Sequence, residues 1–402
     1  MLIINGESYG WLHKAFFFAS GAVSTIFWTT MSSLSSIKNS SYDYLKMTTM
    51  VLLVLPLIIS FILFQTMKRL VGFVIVLKTS VLLMLSLLLL LFFYSEYLFQ
   101  RNSHASMIIC QVLYNLNLIL TLLLNIYNIR FMFHFTYIEV VYYLVGYNLP
   151  FLINQSIRLF CGINPNSYCD YSSQVAYPYV TLASFGYVII YLAYHRYVAC
   201  YIDVDDDIIG TTDTIKNIVK EKIEIETIQA YIIQSKNNFF YILTLLINIS
   251  INTIGIELLK LTLGKKQASY WSHAQKIWST VITMIGMAFC SVISIQNSTW
   301  LISLTGFRLL LLAFLMVVNV GQYDWLEDIW RNMGVAAVFF ASFGYLLSNT
   351  IATVIQRTDL RYKNSIAYII ALTLSLSIFT SNLLYVLSFN QLEMMTTEIR
   401  AE

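Results

Sequence analysis

Charged residues are scarce in this 402-residue chain, and proline is scarcer still. Asp, Glu, Lys and Arg make up 11% of the sequence, whereas soluble globular domains carry about 25%. Hydrophobic residues reach 58%, and the mean hydropathy is +0.70. This composition excludes a soluble globular protein, because the chain has too few polar residues to form a surface that water would cover. With four prolines and no long polar tract, the chain is not extensively disordered either.

Catalytic and metal-binding patterns are missing as well. The sequence has five histidines and contains no HExxH, no G-x-S-x-G, no phosphate-binding loop and no paired intramembrane aspartates. We therefore expect no enzyme activity, no cofactor and no metal site. The net charge of +3 is spread along the chain and gives no reason to expect a nucleic-acid partner.

The five cysteines include no CxxC pair. Cys161 and Cys169 flank a short loop, CGINPNSYC. Two alternatives stay open for them: a disulfide if the loop faces an oxidising compartment, or two free thiols if it does not. The first apolar run is long and has no A-x-A cleavage site after it, so we interpret it as a retained span rather than a signal peptide.

Long apolar segments recur along the whole chain. A membrane-spanning helix needs about 20 mostly apolar residues, and eleven segments meet this requirement. The sequence therefore predicts an all-α, polytopic membrane protein with about eleven transmembrane helices. The predicted spans cover approximately residues 14–34, 47–66, 72–95, 106–128, 139–160, 175–196, 239–262, 277–296, 299–320, 334–355 and 366–389.

One long charged stretch, residues 202–237, separates six predicted spans from five. We accordingly divide the chain into an N-terminal six-helix bundle (1–201), a cytoplasmic linker loop (202–237) and a C-terminal five-helix bundle (238–402). Isoleucines recur in the linker at near-helical spacing. This pattern fits an amphipathic helix on the membrane surface, and a solvated linker with partial helix is the alternative.

The distribution of Lys and Arg between loops predicts the orientation in the membrane. A cytoplasmic N-terminus places a weak excess of these residues inside, as the positive-inside rule requires. It also places the Cys161–Cys169 loop and the sequon Asn39-Ser40-Ser41 outside. An odd number of spans then puts the C-terminus outside. We expect a monomer in the plasma membrane.

Polar residues of the fourth span share one helix face. Tyr114, Asn117, Thr121, Asn125 and Asn128 are separated by steps of three or four residues. Amides are costly in hydrocarbon unless something satisfies them. One interpretation is a polar cavity, and the alternative is interhelical hydrogen bonding, which contributes only about 0.6 kcal/mol per pair.

Other spans carry shorter polar or small-residue stripes. The first contains Trp28, and the fifth contains Asn154 beyond a predicted kink at Pro150. In the tenth, Gly344 and Ser348 form a small-xxx-small pair that favours close helix packing. Ser342, Tyr345 and Asn349 lie on the adjacent face of that span and predict a polar surface beside the pathway.

Arg308 lies inside the ninth span and has no residue in its own span that neutralises it. Intramembrane charges usually mark functional sites, so we expect a partner on another helix. The alternative is a structural arginine that donates to the carbonyl end of a neighbouring helix.

This arrangement resembles the equilibrative nucleoside transporters. GAVSTIFWTTMSSL is similar to that family's first span, with its Trp at Trp28, and NLILTLLLNIYNIRF is similar to its fourth, with the substrate-contacting Gln at Asn125. FRLLLLAFLMVVN is similar to the ninth span, with its Arg at Arg308 and its Asn at Asn319, and ASFGYLLSN to the tenth. The resemblance implies a major-facilitator-like 6+5 arrangement.

The sequence departs from the family at two places. The family's eighth span carries an Asp and an Arg four residues apart, and the corresponding positions in GMAFCSVISIQ are Val292 and Gln296. Phe343 replaces the Asn that the family commonly has in its tenth span. The first departure predicts that the family's ribose contact is altered or lost.

The expected function is passage of a nucleoside, a nucleobase or a similar neutral polar solute through the lipid bilayer by facilitative alternating access. Amides, hydroxyls and aromatic faces suit such a solute. The predicted site residues are Trp28, Asn125, Asn128, Asn154 and Arg308. A multi-span receptor or a ligand-gated channel of another family is the alternative.

Overall fold

The computed structural model describes residues 14–25, 54–67, 104–133, 137–160, 228–261, 268–320, 326, 328–359, 362–374 and 376. These residues are helical apart from short turns, and no strand occurs among them, which confirms the all-α prediction for the described part of the chain. The helices are α1 (residues 14–25), α2 (Val54–Met67), α3 (His104–Met132), α4 (Tyr137–Phe160), α5 (Ile228–Asn237), α6 (Phe239–Leu261), α7 (Ala268–Phe289), α8 (Ser298–Val320), α9 (Ile329–Arg357) and α10 (Lys363–Leu374).

Three of the described helices are long and apolar enough to cross a membrane by length and composition. The spanning segments are Phe239–Ile256, Ser298–Asn319 and Ile329–Arg357. The predicted spans at 72–95 and 175–196 lie outside the described residues. These three candidate spans fit a membrane protein.

Helix α7 differs from its predicted bounds of 277–296. It begins at Ala268 and ends at Phe289, where the amide nitrogens of the next three residues bond carbonyls three positions back in a tight turn. Hydropathy misses the start because Gln275 and Lys276 are polar although they are helical. It also misses the end, because the apolar residues after Phe289 continue into a non-helical connector, residues 290–297.

Helix α5 continues directly into α6. Asn238 separates them, yet its backbone N–H donates to the Gln234 carbonyl and its backbone carbonyl accepts from the Ile242 N–H, each at 3.0 Å. No Pro or Gly interrupts this stretch, so the backbone ladder has no reason to break. The last ten residues of the predicted linker thus extend α6, whereas residues 202–227 lie outside the described residues.

Glycines allow two pairs of helices to approach closely. A Cβ at Gly21 of α1 would strike the Tyr143 carbonyl oxygen of α4, and a Cβ at Gly146 of α4 would strike that of Phe18. Helices α7 and α9 cross in the same reciprocal way through Gly286 and Gly344. Close backbone contact at small residues is the usual means of helix association in lipid, where the hydrophobic effect does not drive it.

The main apolar core contains residues from both sides of the predicted linker. Its buried residues come from α1, α3 and α4 before the linker and from α6, α7 and α9 after it, with examples at Phe16, Tyr127, Leu245 and Leu346. Helix α4 packs against both α7 and α9. The candidate site therefore lies in a bundle to which both halves of the chain, 1–201 and 238–402, contribute.

Candidate functional site

A hydrogen-bonded cluster, the first polar cluster, joins α1, α3 and α4. The Tyr143 hydroxyl donates to Asn125 Oδ1 at 2.6 Å and lies 3.4 Å from the Ser24 hydroxyl. Ser20 donates to Asn128 Oδ1 at 2.8 Å. All five side chains are buried. Asn125 and Asn128 of the predicted stripe on α3 thus point at two neighbouring helices, which satisfy both amide oxygens.

The side-chain nitrogen of Asn128, Nδ2, also belongs to this cluster. It is buried and has no hydrogen-bond partner among the described residues. A buried unsatisfied N–H costs about 1–3 kcal/mol, so an acceptor that reaches Asn128 Nδ2 would be bound favourably. The structure is consistent with both open interpretations of the stripe. The side-chain oxygens of Asn125 and Asn128 bond between helices, whereas Asn128 Nδ2 and Thr121 Oγ1 have no partner among the described residues.

The second polar cluster surrounds Arg308 of α8. Arg308 Nη1 donates to Asn248 of α6 twice, to the side-chain Oδ1 at 2.7 Å and to the backbone oxygen at 3.2 Å. Asn248 Nδ2 in turn donates to Thr305 Oγ1 at 2.9 Å. Because the Thr305 hydroxyl already donates to the Leu301 carbonyl, it must accept from Asn248, which fixes the orientation of the amide.

Two aromatic rings of α9 complete this cluster. The guanidinium carbon of Arg308 lies 4.7 Å from the Phe339 ring centroid and 5.1 Å from that of Phe343. An arginine over an aromatic face gains cation–π energy, and the gain grows when water is excluded. Phe343 stands where the family that the sequence resembles commonly has Asn. In this chain the residue at that position packs its ring against the Arg308 guanidinium.

Arg308 keeps unused donors although it is completely buried. Its side chain has 0% exposure, and Nε and Nη2 have no hydrogen-bond partner among the described residues. Arg308 bonds the side-chain amide and the backbone carbonyl of Asn248, and it lies over the rings of Phe339 and Phe343. Its hydrogen-bond partner on another helix is therefore Asn248. The arginine can therefore still offer two N–H groups to an acceptor.

The remaining predicted site residues are placed as follows. Asn154 is buried on α4, beyond Pro150, which lies inside the helix. Trp28, Cys161 and Cys169 lie outside the described residues, and so does the sequon at 39–41. The structure places Asn125 beside Tyr143 of α4 and Asn128 beside Ser20 of α1. Arg308 lies in a separate cluster on α6, α8 and α9.

Gly344 and Ser348 both face α7. The Gly344 backbone leaves no space for a Cβ beside the Thr283 carbonyl. The Ser348 hydroxyl is 2.9 Å from the Gly344 carbonyl of its own helix and 3.5 Å from the Met287 carbonyl of α7. This small-xxx-small pair therefore lies in the contact between α7 and α9.

Asn349 has a role that its place on the polar face of the tenth span does not reveal. Its Nδ2 donates to the Ile295 carbonyl at 2.7 Å, and its Oδ1 accepts from the Ile295 amide at 3.2 Å. The side chain thus binds the connector between α7 and α8 as a neighbouring strand would. No local signal in the sequence indicates this partner, which is 54 residues away.

The two positions that correspond to the family's Asp and Arg lie in the same connector. Val292 is 76% exposed, and Gln296 is exposed and bonds Gln356 at 3.0 Å. Neither is on the helical part of α7, so they do not present a pair of side chains four residues apart on one helix face.

Comparison with protein-family models and with curated proteins gives no match for this chain.

Proposed function

We propose that this chain is a membrane transporter that moves a nucleoside, a nucleobase or a similar neutral polar solute by alternating access. The observation that carries the proposal is the presence of a buried polar cluster on each side of the linker. One cluster consists of amides and hydroxyls, and the other centres on Arg308. Such groups are expensive in a membrane protein and are usually kept for a pathway or binding site.

The packing between the halves supports a rocking movement. Helix α4 of the first half lies against α7 and α9 of the second half. Across this contact Asn148 Nδ2 approaches the Met287 sulfur at 3.4 Å, a weak interaction that is easily exchanged. Within each half, by contrast, glycines lock helix pairs backbone to backbone. Helix pairs that are held together within each half, with an apolar contact between the halves, suit the movement that alternating access needs.

The unused donors indicate which chemical groups the solute presents. Asn128 Nδ2 and two nitrogens of Arg308 are N–H groups without acceptors among the described residues. Carbonyl oxygens and unprotonated ring nitrogens would satisfy them, and nucleobases carry both. The resemblance to equilibrative nucleoside transporters in the first, fourth, ninth and tenth spans supports the same solute class.

Uptake into proteoliposomes tests this function directly. The purified chain is reconstituted and given radiolabelled purine and pyrimidine nucleosides and nucleobases, one at a time. We expect saturable uptake of at least one of them, which stops when the inside and outside concentrations are equal. Absence of uptake for the whole panel, or single-channel currents in a planar bilayer, would contradict the proposal.

The variant Asn125→Leu tests the first polar cluster. Leucine has a similar volume but removes the acceptor of the Tyr143 hydrogen bond, so we expect uptake to fall about ten-fold or more, as for loss of a buried polar contact. Asn237→Leu is the matched control, because Asn237 is exposed at the end of α5. Normal uptake by Asn125→Leu removes Asn125 from the site.

A further inference from the structure

We propose that the connector between α7 and α8 is a gate, which the hydrogen bond from Tyr137 holds closed against the first half of the chain. Tyr137 is the first residue of α4, and its hydroxyl donates to the Ser291 carbonyl at 3.0 Å. This bond joins residues 154 positions apart, on opposite sides of the linker. By the predicted orientation the gate faces the cytoplasm.

The connector is bound firmly to the second half. Asn349 of α9 makes its two bonds to Ile295, and Arg357 at the end of α9 donates to the Gln296 carbonyl at 3.0 Å. Tyr241 of α6 approaches the same carbonyl at 3.3 Å. The connector therefore moves with α6 and α9 as one body, and it presents the Ser291 carbonyl to α4.

The hydrogen bond between Tyr137 and Ser291 can break at a low cost in free energy. Tyr137 and Ser291 are both half-buried, so water can replace each partner when they separate. A neutral hydrogen bond between such groups biases an equilibrium without locking it, as a two-state gate requires. The attachment to the second half has several bonds and includes an arginine, so opening breaks the Tyr137 side first.

This proposal rests on the proposed function only in assuming that the two halves move relative to each other, and it can be tested without a solute. Spin labels are attached at Val292→Cys in the connector and at Arg130→Cys near the end of α3, after replacement of the five native cysteines. Double electron–electron resonance then gives the distribution of distances between the two labels. It is measured in the chain that keeps Tyr137 and Tyr142 and in the variants Tyr137→Phe and Tyr142→Phe. Tyr142 is on the same helix, and its ring, which lies over Lys14, is kept in phenylalanine.

We expect Tyr137→Phe to raise the ratio of long to short distances about five-fold, the effect of losing one neutral hydrogen bond. Tyr142→Phe leaves the ratio unchanged. An unchanged ratio in Tyr137→Phe, or an equal shift in both variants, overturns the gate. If the cysteine-replaced chain does not fold, hydrogen–deuterium exchange of residues 290–297 in the native-cysteine chain decides the question by the same comparison. A shifted ratio without uptake in proteoliposomes retains the gate and rejects the transport proposal, and the opposite result does the reverse.

Discussion

The backbone of Gly344 lies directly against the carbonyl oxygen of Thr283, with no room between them for a side chain. Gly286 stands in the same relation to Ala341, so the contact between α7 and α9 is reciprocal. These two helices carry the connector, the Asn349 contact and the rings that cover Arg308. Their spacing therefore sets where Asn349 meets the connector.

Replacing Gly344 by alanine is expected to destabilise the protein. The added Cβ must push the α7 backbone away, and such overpacking costs about 1–3 kcal/mol. Gly306→Ala on α8 is the matched control with the opposite sign. A Cβ there meets nothing within 4 Å, and alanine favours the helix by about 1 kcal/mol. Thermal unfolding of the detergent-purified chain measures both, and equal Tm values for the two variants would contradict this account of the contact.

Arg308→Met is expected to separate stability from function. The exchange removes a buried charge and its two unsatisfied donors, which favours the folded state, but it leaves Asn248 Oδ1 without its donor. We expect these opposing effects to leave the free energy of unfolding within about 1–3 kcal/mol of its original value. Transport depends on the lost N–H donors, so uptake falls about ten-fold or more, since hydrogen bonds from a charged donor contribute about 1.5–3 kcal/mol. Lys236→Met, at an exposed lysine in the last turn of α5, changes neither quantity. A lower Tm with normal uptake in Arg308→Met would show that the arginine is structural.

Asn349→Leu is expected to release the connector. The variant loses both bonds to Ile295 and leaves that residue's amide and carbonyl without their partner. We expect faster hydrogen–deuterium exchange across residues 290–297, and a loss of about 1–3 kcal/mol in the free energy of unfolding. Gln356→Leu is the control, because the Gln356 side chain bonds Gln296 at an exposed position where water replaces it. Unchanged exchange in Asn349→Leu argues against the contact.

Tyr143→Phe is expected to weaken the first polar cluster while keeping its shape. The variant removes the 2.6 Å hydrogen bond to Asn125 and leaves a buried acceptor unsatisfied, at a cost of about 1–3 kcal/mol. Tyr147→Phe, one turn further along α4, removes a hydroxyl for which no hydrogen bond is found among the described residues. Tm should fall in the first variant only, and the reverse order would contradict the assigned bond.

The sequence by itself determined the class of protein and the position of several helices. The bounds of α4, α6 and α8 agree with apolar segments to within two residues, because lipid requires backbone groups to bond within a helix and side chains to be apolar. The same rule misplaced α7, since hydropathy reports the surroundings of a side chain and not where a backbone ladder begins or ends. It also singled out Arg308 and the stripe of α3, because polar groups are conspicuous in hydrocarbon.

Only the tertiary structure decided what those polar groups touch. Arg308 meets Asn248 across 60 residues, and Asn349 meets Ile295 across 54. One helix has several polar faces, and its sequence cannot tell which neighbour covers each. Packing decides this. The glycine contacts between α7 and α9 bring the connector to Asn349. The packing of α4 against α7 brings Tyr137 to Ser291.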